Sequence, residues 1–136
     1  MTYFLSSSFC LAAVPASVPQ ARHGVRALLE PAGIEASKIE LAVTEAVSNV
    51  VQHGYRSRSG PVEVELGVGD HQVDVVVRDR GVGMKPHPET EGLGVGMTVM
   101  RSLADSLEVE EQGGTIVRMR FALRHVGRRP AVLSAI

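Results

Sequence analysis

Residues 41–54 of the chain, LAVTEAVSNVVQHG, form the stretch from which the fold is predicted. Apolar residues recur at helical spacing in and around this stretch, which predicts a helix over residues 35–53, and Gly54 supplies a C-terminal stop. Within the helix, Glu45 and Asn49 are four residues apart, so they lie one above the other at the edge of the apolar arc. Both side chains are therefore expected to face a cleft at the rim of the core.

The chemistry of Glu45 and Asn49 suits a site for phosphate groups. The amide oxygen of Asn49 is a hard ligand for magnesium, which takes only one or two protein ligands and completes its shell with waters and phosphate oxygens. Glu45, one turn earlier, is positioned to act as a general base. Without the rest of the chain, however, a solvated glutamate and a helix-end asparagine are the simpler explanation of this pair.

A second pattern, VVVRDRGVGM, spans residues 75–84. Asp79 ends a predicted apolar strand, where its carboxylate can accept a hydrogen bond from an exocyclic amine such as that of adenine. Gly81 and Gly83 allow a sharp turn and a close approach of the backbone to a flat ring, and Met84 follows them. In isolation, an acidic turn after a strand explains this piece more simply.

Two further pieces lie downstream. Residues 92–98, GLGVGMT, precede and enter a helix predicted over residues 95–106, and the free N–H groups at a helix start bind anions such as phosphate. This is neither a Walker A motif nor a strict G-x-G-x-x-G. Thr115, after Gly113 and Gly114, is placed to reach a base through its hydroxyl, although a hairpin turn is again the simpler explanation.

The composition predicts a single soluble domain over residues 1–136, with a core over about 2–123 and a tail over 124–136. Hydrophobic residues make up 44% and charged residues 21% of the chain. The net charge of -1 gives no indication of nucleic-acid or membrane-surface binding. The one cysteine, Cys10, lies in an apolar stretch and is expected to be buried, which suits a reducing cytoplasm.

Hydrophobic periodicity predicts the element order β-α-α-β-β-loop-α-β-β. The predicted strands cover residues 2–13, 62–68, 72–79, 107–111 and 115–123, and the loop covers 81–92. The predicted helices cover 18–30, with Ser17 as N-cap, 35–53 and 95–106. Mostly antiparallel strands with helices on one face make an α/β two-layer sandwich, in which the first strand is expected at an edge of the sheet.

Taken together and in this order, the four pieces resemble the GHKL (Bergerat-fold) superfamily of ATPases and kinases, which share a histidine-kinase-like ATPase domain. The sequence TEAVSN at residues 44–49, followed by His53, Gly54 and Tyr55, is most similar to the bacterial anti-sigma-factor serine kinases. The resemblance covers roughly residues 2–123. Each motif is modest, whereas the ordered set is specific.

The resemblance implies a role for each matched position. Asn49 corresponds to the magnesium ligand and Glu45 to the proposed catalytic base. The positions that correspond to ATP-binding residues, besides Asn49, are Asp79, Gly81, Gly83 and Met84 beside the adenine, Gly92, Gly94, Val95, Gly96 and Met97 at the phosphates, and Thr115 near the base.

The resemblance also implies cofactors and partners. ATP and Mg²⁺ are expected as cofactors, with serine/threonine protein kinase activity directed at a small antagonist (anti-anti-sigma) protein. A sigma factor is expected as the sequestered partner, which makes the protein a regulator of transcription. A homodimer in the cytoplasm is implied, without direct contact with nucleic acid or membrane.

One departure from the family leaves a second hypothesis open. Only eight residues, Met84–Glu91, separate the two glycine motifs, and this segment is longer in better-known members. The alternative is a non-catalytic ATP-binding regulatory module. A detached histidine kinase domain is disfavoured because His23, followed by Gly24, has no acidic neighbour of the expected kind. A DNA-linked ATPase needs a second domain that 136 residues cannot hold.

Overall fold

The computed structural model describes residues 2–55, 59–81 and 91–123. Its elements are β1 (Leu5–Ala12), α1 (Ser17–Leu29), α2 (Ser37–Asn49), a π-helical turn (Val50–Gly54), β2 (Pro61–Val68), β3 (Gln72–Asp79), α3 (Glu91–Leu103), β4 (Ser106–Glu111) and β5 (Thr115–Ala122). Within these described ranges, no helix is long and apolar enough to cross a membrane. The predicted tail over 124–136 lies outside the described residues.

The five strands form one sheet in the order β1-β2-β3-β5-β4, and every neighbouring pair is antiparallel. The predicted two-layer sandwich is confirmed, as is the edge position of the first strand. The strands follow one another in the sheet as they do along the chain, except that β5 lies between β3 and β4. As a consequence, Asp79 at the end of β3 lies directly opposite Thr115 at the start of β5.

The helices cover one face of the sheet because the strands alternate apolar and polar residues. Val64, Val75 and Met119 lie on the covered face and are at most 2% exposed. Val25 of α1 and Val47 of α2 are fully buried against them. This packing fixes α2 over the middle of the sheet, and with it the helix end that carries the candidate site.

The face of the sheet away from the helices carries ion pairs instead of a second layer. Arg78 lies 2.8 Å from Glu65, and Arg120 lies 2.9 Å from Asp74. Cys10 lies on this face and is exposed, so the expectation that it is buried was wrong. The reason is its position on an edge strand, where its side chain alternates away from the helices.

Helix α3 begins at Glu91, four residues earlier than predicted. Glycine is a poor helix former, which led to a prediction that the glycine motif precedes the helix. In the first turn this weakness matters less, because the first N–H groups have no intrahelical partner in any case. Gly92 and Gly94 therefore belong to the first turn of α3.

Candidate functional site

Asp79 occupies the end of β3 and is the most buried carboxylate near the predicted cleft, with 8% of its surface exposed. Its Oδ1 atom accepts hydrogen bonds from the backbone N–H groups of Gly81 at 2.8 Å and Thr115 at 3.3 Å. These two bonds fix the carboxylate between β3 and β5. The predicted proximity of Asp79, Gly81 and Thr115 is thus observed in the structure.

Burial raises the pKa of Asp79, because removing the carboxylate from water disfavours its charged form, while the N–H bonds from Gly81 and Thr115 partly oppose this. Both bonds go to Oδ1, and within the described part of the chain Oδ2 accepts none. A Cβ atom added at Gly54 would lie 3.6 Å from Oδ2, so this oxygen faces the end of the π-helical turn. A carboxylate oxygen of a largely buried residue that receives no donor from the described chain suits an N–H donor from a ligand.

Three glycines allow the backbone to close around Asp79. A Cβ atom at Gly81 would overlap the carbonyl oxygen of Gly54, and a Cβ atom at Gly114 would overlap the carbonyl oxygen of Asp79. Gly114 also has a φ of 135°, which favours glycine. Sequence reasoning identified Gly81 as a site residue, but it gave Gly54 only a helix-stop role and a part in the family resemblance, and it gave Gly114 only a place in a hairpin turn.

Asn49 ends α2, and its amide packs against the first turns of α3. A Cβ atom at Gly96 would lie 2.9 Å from Asn49 Oδ1 and 3.0 Å from Nδ2, so only glycine leaves the amide its present position. The Nδ2 atom is buried and has no hydrogen-bond partner among the described residues. Buried polar atoms are nearly always paired, so the amide is suited to a ligand that the chain itself does not supply.

His53 lies in the π-helical turn that continues α2, and its Nε2 atom is also buried, with no partner in the part of the chain that the structure describes. Single π-turns are frequent at functional sites. Sequence reasoning used His53 only to support the family resemblance and did not place it in the site. Its position four residues after Asn49 was the available signal.

Glu45 lies one turn before Asn49 and is half-buried. Its carboxylate forms no hydrogen bond or ion pair with any residue that the structure describes. It is therefore free to contact a bound molecule. The structure gives no contact that joins Glu45 to Asp79 or Thr115.

The remaining predicted site residues lie either on α3 or outside the residues that the structure describes. Gly92, Gly94 and Val95 belong to the first turns of α3, Gly96 is buried there, and Met97 packs at the edge of the core. Gly83 and Met84 lie outside the described residues, as does the segment from residue 84 to residue 90.

Four chain segments thus meet at one end of the molecule. Gly54 faces Asp79, Asp79 bonds to the backbone of Thr115, and Gly96 packs on Asn49. Among residues 2–55, 59–81 and 91–123, no cluster of three or more His, Cys, Asp or Glu side chains could hold a metal ion. A cation at this end would therefore need other ligands, such as phosphate oxygens, in addition to Asn49.

Known protein families and proteins resemble this chain over most of its length. A family model described as a histidine kinase-like ATPase domain matches residues 11–121. An anti-sigma F factor from Clostridium acetobutylicum is 34% identical over 110 residues, which cover 70% of this chain and 77% of that protein. An anti-sigma F factor from Clostridium kluyveri is 34% identical over 118 residues, which cover 79% of this chain and 78% of that protein.

A solved structure shares the fold. The crystal structure of the RsbU and RsbW domains of a Mycobacterium tuberculosis protein matches 92% of this chain with a TM-score of 0.73 and 24% sequence identity. The match covers 34% of that longer chain.

Proposed function

The chain belongs to the histidine kinase-like ATPase family, and on that basis we propose that it is an ATP-binding anti-sigma factor with serine kinase activity. The observation that carries ATP binding is the buried Asp79 carboxylate, which holds two backbone N–H groups on Oδ1, while Oδ2 receives no donor from the residues that the structure describes. The exocyclic amine of adenine supplies that donor. The glycines at 54, 81 and 114 let neighbouring backbone approach the carboxylate closely, which holds it in position for that contact.

The phosphates would lie on the other side of the cleft. The first turn of α3 offers unpaired N–H groups and the positive end of a helix dipole. Asn49, whose amide has an unpaired buried atom, fits a magnesium ligand when its oxygen faces the phosphates. Magnesium would neutralise phosphate charge when bound. His53 Nε2, also unpaired, is available to a phosphate oxygen.

Replacing Asn49 with alanine should abolish the magnesium dependence of ATP binding, because the variant loses the only amide oxygen at this position. We expect ATP affinity in the presence of Mg²⁺ to fall by about 10- to 100-fold, and affinity in EDTA to change little. Isothermal titration under both conditions measures the two values.

The matched control for this test is Gln52→Ala, which removes an exposed amide from the same helical segment. Gln52→Ala should leave both affinities unchanged. An Asn49→Ala variant that binds Mg²⁺-ATP as tightly as the wild type would rule out the proposed ion site.

Serine kinase activity is assigned to Glu45. Its carboxylate is half-buried and has no partner in the described chain, so it is free to orient or deprotonate an acceptor hydroxyl. Phosphoryl transfer otherwise depends mainly on positioning and charge neutralisation, which the α3 start and Asn49 supply.

Removing Glu45 should therefore abolish transfer while leaving nucleotide binding intact. With labelled ATP and a candidate antagonist protein, we expect Glu45→Ala to slow label transfer by about 100-fold or more. Glu108→Ala, an exposed acidic residue on β4, is the matched control and should transfer at the wild-type rate. Tight ATP binding without transfer by the wild type would favour the non-catalytic regulatory module.

The partners proposed for the chain follow from its curated relatives, which bear the name anti-sigma F factor. We propose that a sigma factor and a small antagonist protein compete for this chain in the cytoplasm. Co-purification with each candidate, with and without ATP, tests the assignment. A chain that retains neither candidate under either condition would contradict it.

A homodimer is also proposed, and the free edge of β1 supports it. Ala13 donates its N–H to Gly60 O, so alternate residues of β1 pair with β2 and Ser6, Ser8 and Cys10 direct their backbone groups to the open edge. That strand carries no charge, whereas the opposite edge strand, β4, carries three glutamates. An uncharged edge favours addition of another strand, here β1 of a second copy.

Sedimentation equilibrium should give about twice the monomer mass of 14.5 kDa for the wild type. Ser8→Lys places a charge at the centre of the proposed junction and should weaken self-association by about tenfold or more. Ser102→Lys on the exposed surface of α3 is the control. A monomeric wild type, or a Ser8→Lys dimer of unchanged affinity, would contradict pairing through β1.

A further inference from the structure

Tyr55 follows the π-helical turn and reaches across to two strands. Its hydroxyl accepts a hydrogen bond from the backbone N–H of Arg80 at 2.8 Å and donates one to the carbonyl oxygen of Pro61 at 2.6 Å. Its ring lies against Gly60, where a Cβ atom would overlap the ring. The side chain thus joins the end of α2 to the ends of β2 and β3.

The Tyr55 hydroxyl lies where the last backbone hydrogen bond between β2 and β3 would otherwise form. Gly69 donates its N–H to Gln72 O, and hydrogen-bonded pairs then recur every second residue along an antiparallel ladder. In the register that pairs Val62 with Asp79, the last such pair would be Pro61 and Arg80. Proline has no N–H to donate, and the N–H of Arg80 bonds to Tyr55 instead.

The Tyr55 hydroxyl, placed between Arg80 N–H and Pro61 O, controls the position of the turn that follows Asp79. Arg80 precedes Gly81, whose N–H holds Asp79 Oδ1 and whose α-carbon abuts the carbonyl of Gly54. Without the hydroxyl, Arg80 N–H can bond Pro61 O directly only if the strand ends move together by about 1 to 2 Å. Such a movement would carry Gly81 and the Asp79 carboxylate with it.

We infer that Tyr55 is a positioning residue for adenine recognition. It acts through the backbone of Arg80 and Gly81 to hold the Asp79 carboxylate where it meets the 6-amino group of the base. The inference rests on the proposed ATP-binding function, and it adds a selectivity role to a residue that contacts neither phosphate nor metal in that proposal.

The test compares ADP with inosine diphosphate, which carries a carbonyl oxygen in place of the 6-amino group. Wild type should bind ADP more tightly, because Asp79 can accept from the amine but not from the carbonyl. Tyr55→Phe keeps the ring and loses the hydroxyl. We expect its ADP affinity to fall about tenfold while its inosine diphosphate affinity is unchanged, so the ratio of the two falls about tenfold.

Tyr3→Phe is the matched control, since Tyr3 also donates to a carboxylate, Asp74 Oδ2 at 2.6 Å, on the outer face of the sheet. It should leave the ratio unchanged. If Tyr55→Phe does not unfold cooperatively, Tyr55→His, whose shorter ring cannot place a hydrogen-bonding atom where the phenolic oxygen lies, is measured in the same way and should also lower the ratio.

The possible results test the positioning role of Tyr55 separately from the proposed adenine site. A Tyr55 variant with the wild-type ratio, whether both affinities persist or both fall equally, overturns the positioning role and leaves ATP binding standing. A wild type with no preference for ADP over inosine diphosphate overturns the proposed adenine site itself.

Discussion

Replacing Asp79 with asparagine is expected to weaken ATP binding by about 100-fold. The variant has the same shape, but one of its two amide atoms is a donor. If the amide oxygen accepts from Gly81 and Thr115, the NH₂ group faces the amine of adenine; if it is reversed, the NH₂ group faces two backbone donors. In either orientation the amide NH₂ group faces another hydrogen-bond donor, with which it cannot form a hydrogen bond. Isothermal titration with ATP measures the loss.

The free energy of unfolding shows whether Asp79→Asn loses ATP binding directly or because it unfolds. Since burial raises the pKa of Asp79, its ionised form costs the folded state free energy at neutral pH, and asparagine removes that cost. The free energy of unfolding of Asp79→Asn without nucleotide should therefore be no lower than that of the wild type. Asp74→Asn on the same strand is the control, because Asp74 faces the outer ion pairs. If both variants bind ATP like wild type, Asp79 is not the adenine acceptor.

Gly81→Ala is expected to lower the free energy of unfolding by about 3 kcal/mol or more, and to abolish nucleotide binding in any fraction that folds. Its Cβ atom would overlap the carbonyl oxygen of Gly54, which is backbone and cannot rotate away as a side chain could. Either the π-helical turn or the Asp79 turn must move. Urea denaturation measures the loss.

Gly113→Ala provides the comparison, because Gly113 has a φ of 62° but a Cβ atom there would meet nothing within 4 Å. It should cost about 1 kcal/mol, from backbone conformation only. Equal costs at the two positions would mean that the close approach of Gly54 and Gly81 does not constrain the site.

Helix α2 illustrates how far the sequence could be interpreted correctly. Apolar spacing predicted a helix over 35–53, and the cleft-facing position of Asn49 followed from its angle on that helix. The change to a π-helical turn at Val50 could not be predicted, because it accompanies the packing of Gly54 on Gly81, which are 27 residues apart in sequence. Local periodicity contains no information about such a contact.

The proposed adenine-binding part of the site was likewise predictable from the sequence only in part. A strand ending in Asp79 and a turn of glycines were both visible in the sequence. Their meeting with Thr115 depends on β5 lying beside β3, which is a property of the sheet order rather than of either segment. The role of Tyr55 was missed because its partners are backbone groups of Pro61 and Arg80, and backbone partners leave no residue pattern.

The placement of β5 beside β3 has an evolutionary consequence. Asp79 and Thr115 are joined by the sheet, so their separation does not depend on the number of residues between the end of β3 and the start of α3. Lengthening such a connection costs little, about 0.6 kcal/mol for each doubling. Insertions between residues 82 and 90 are therefore expected to accumulate during divergence, while the adenine-binding residues stay in register.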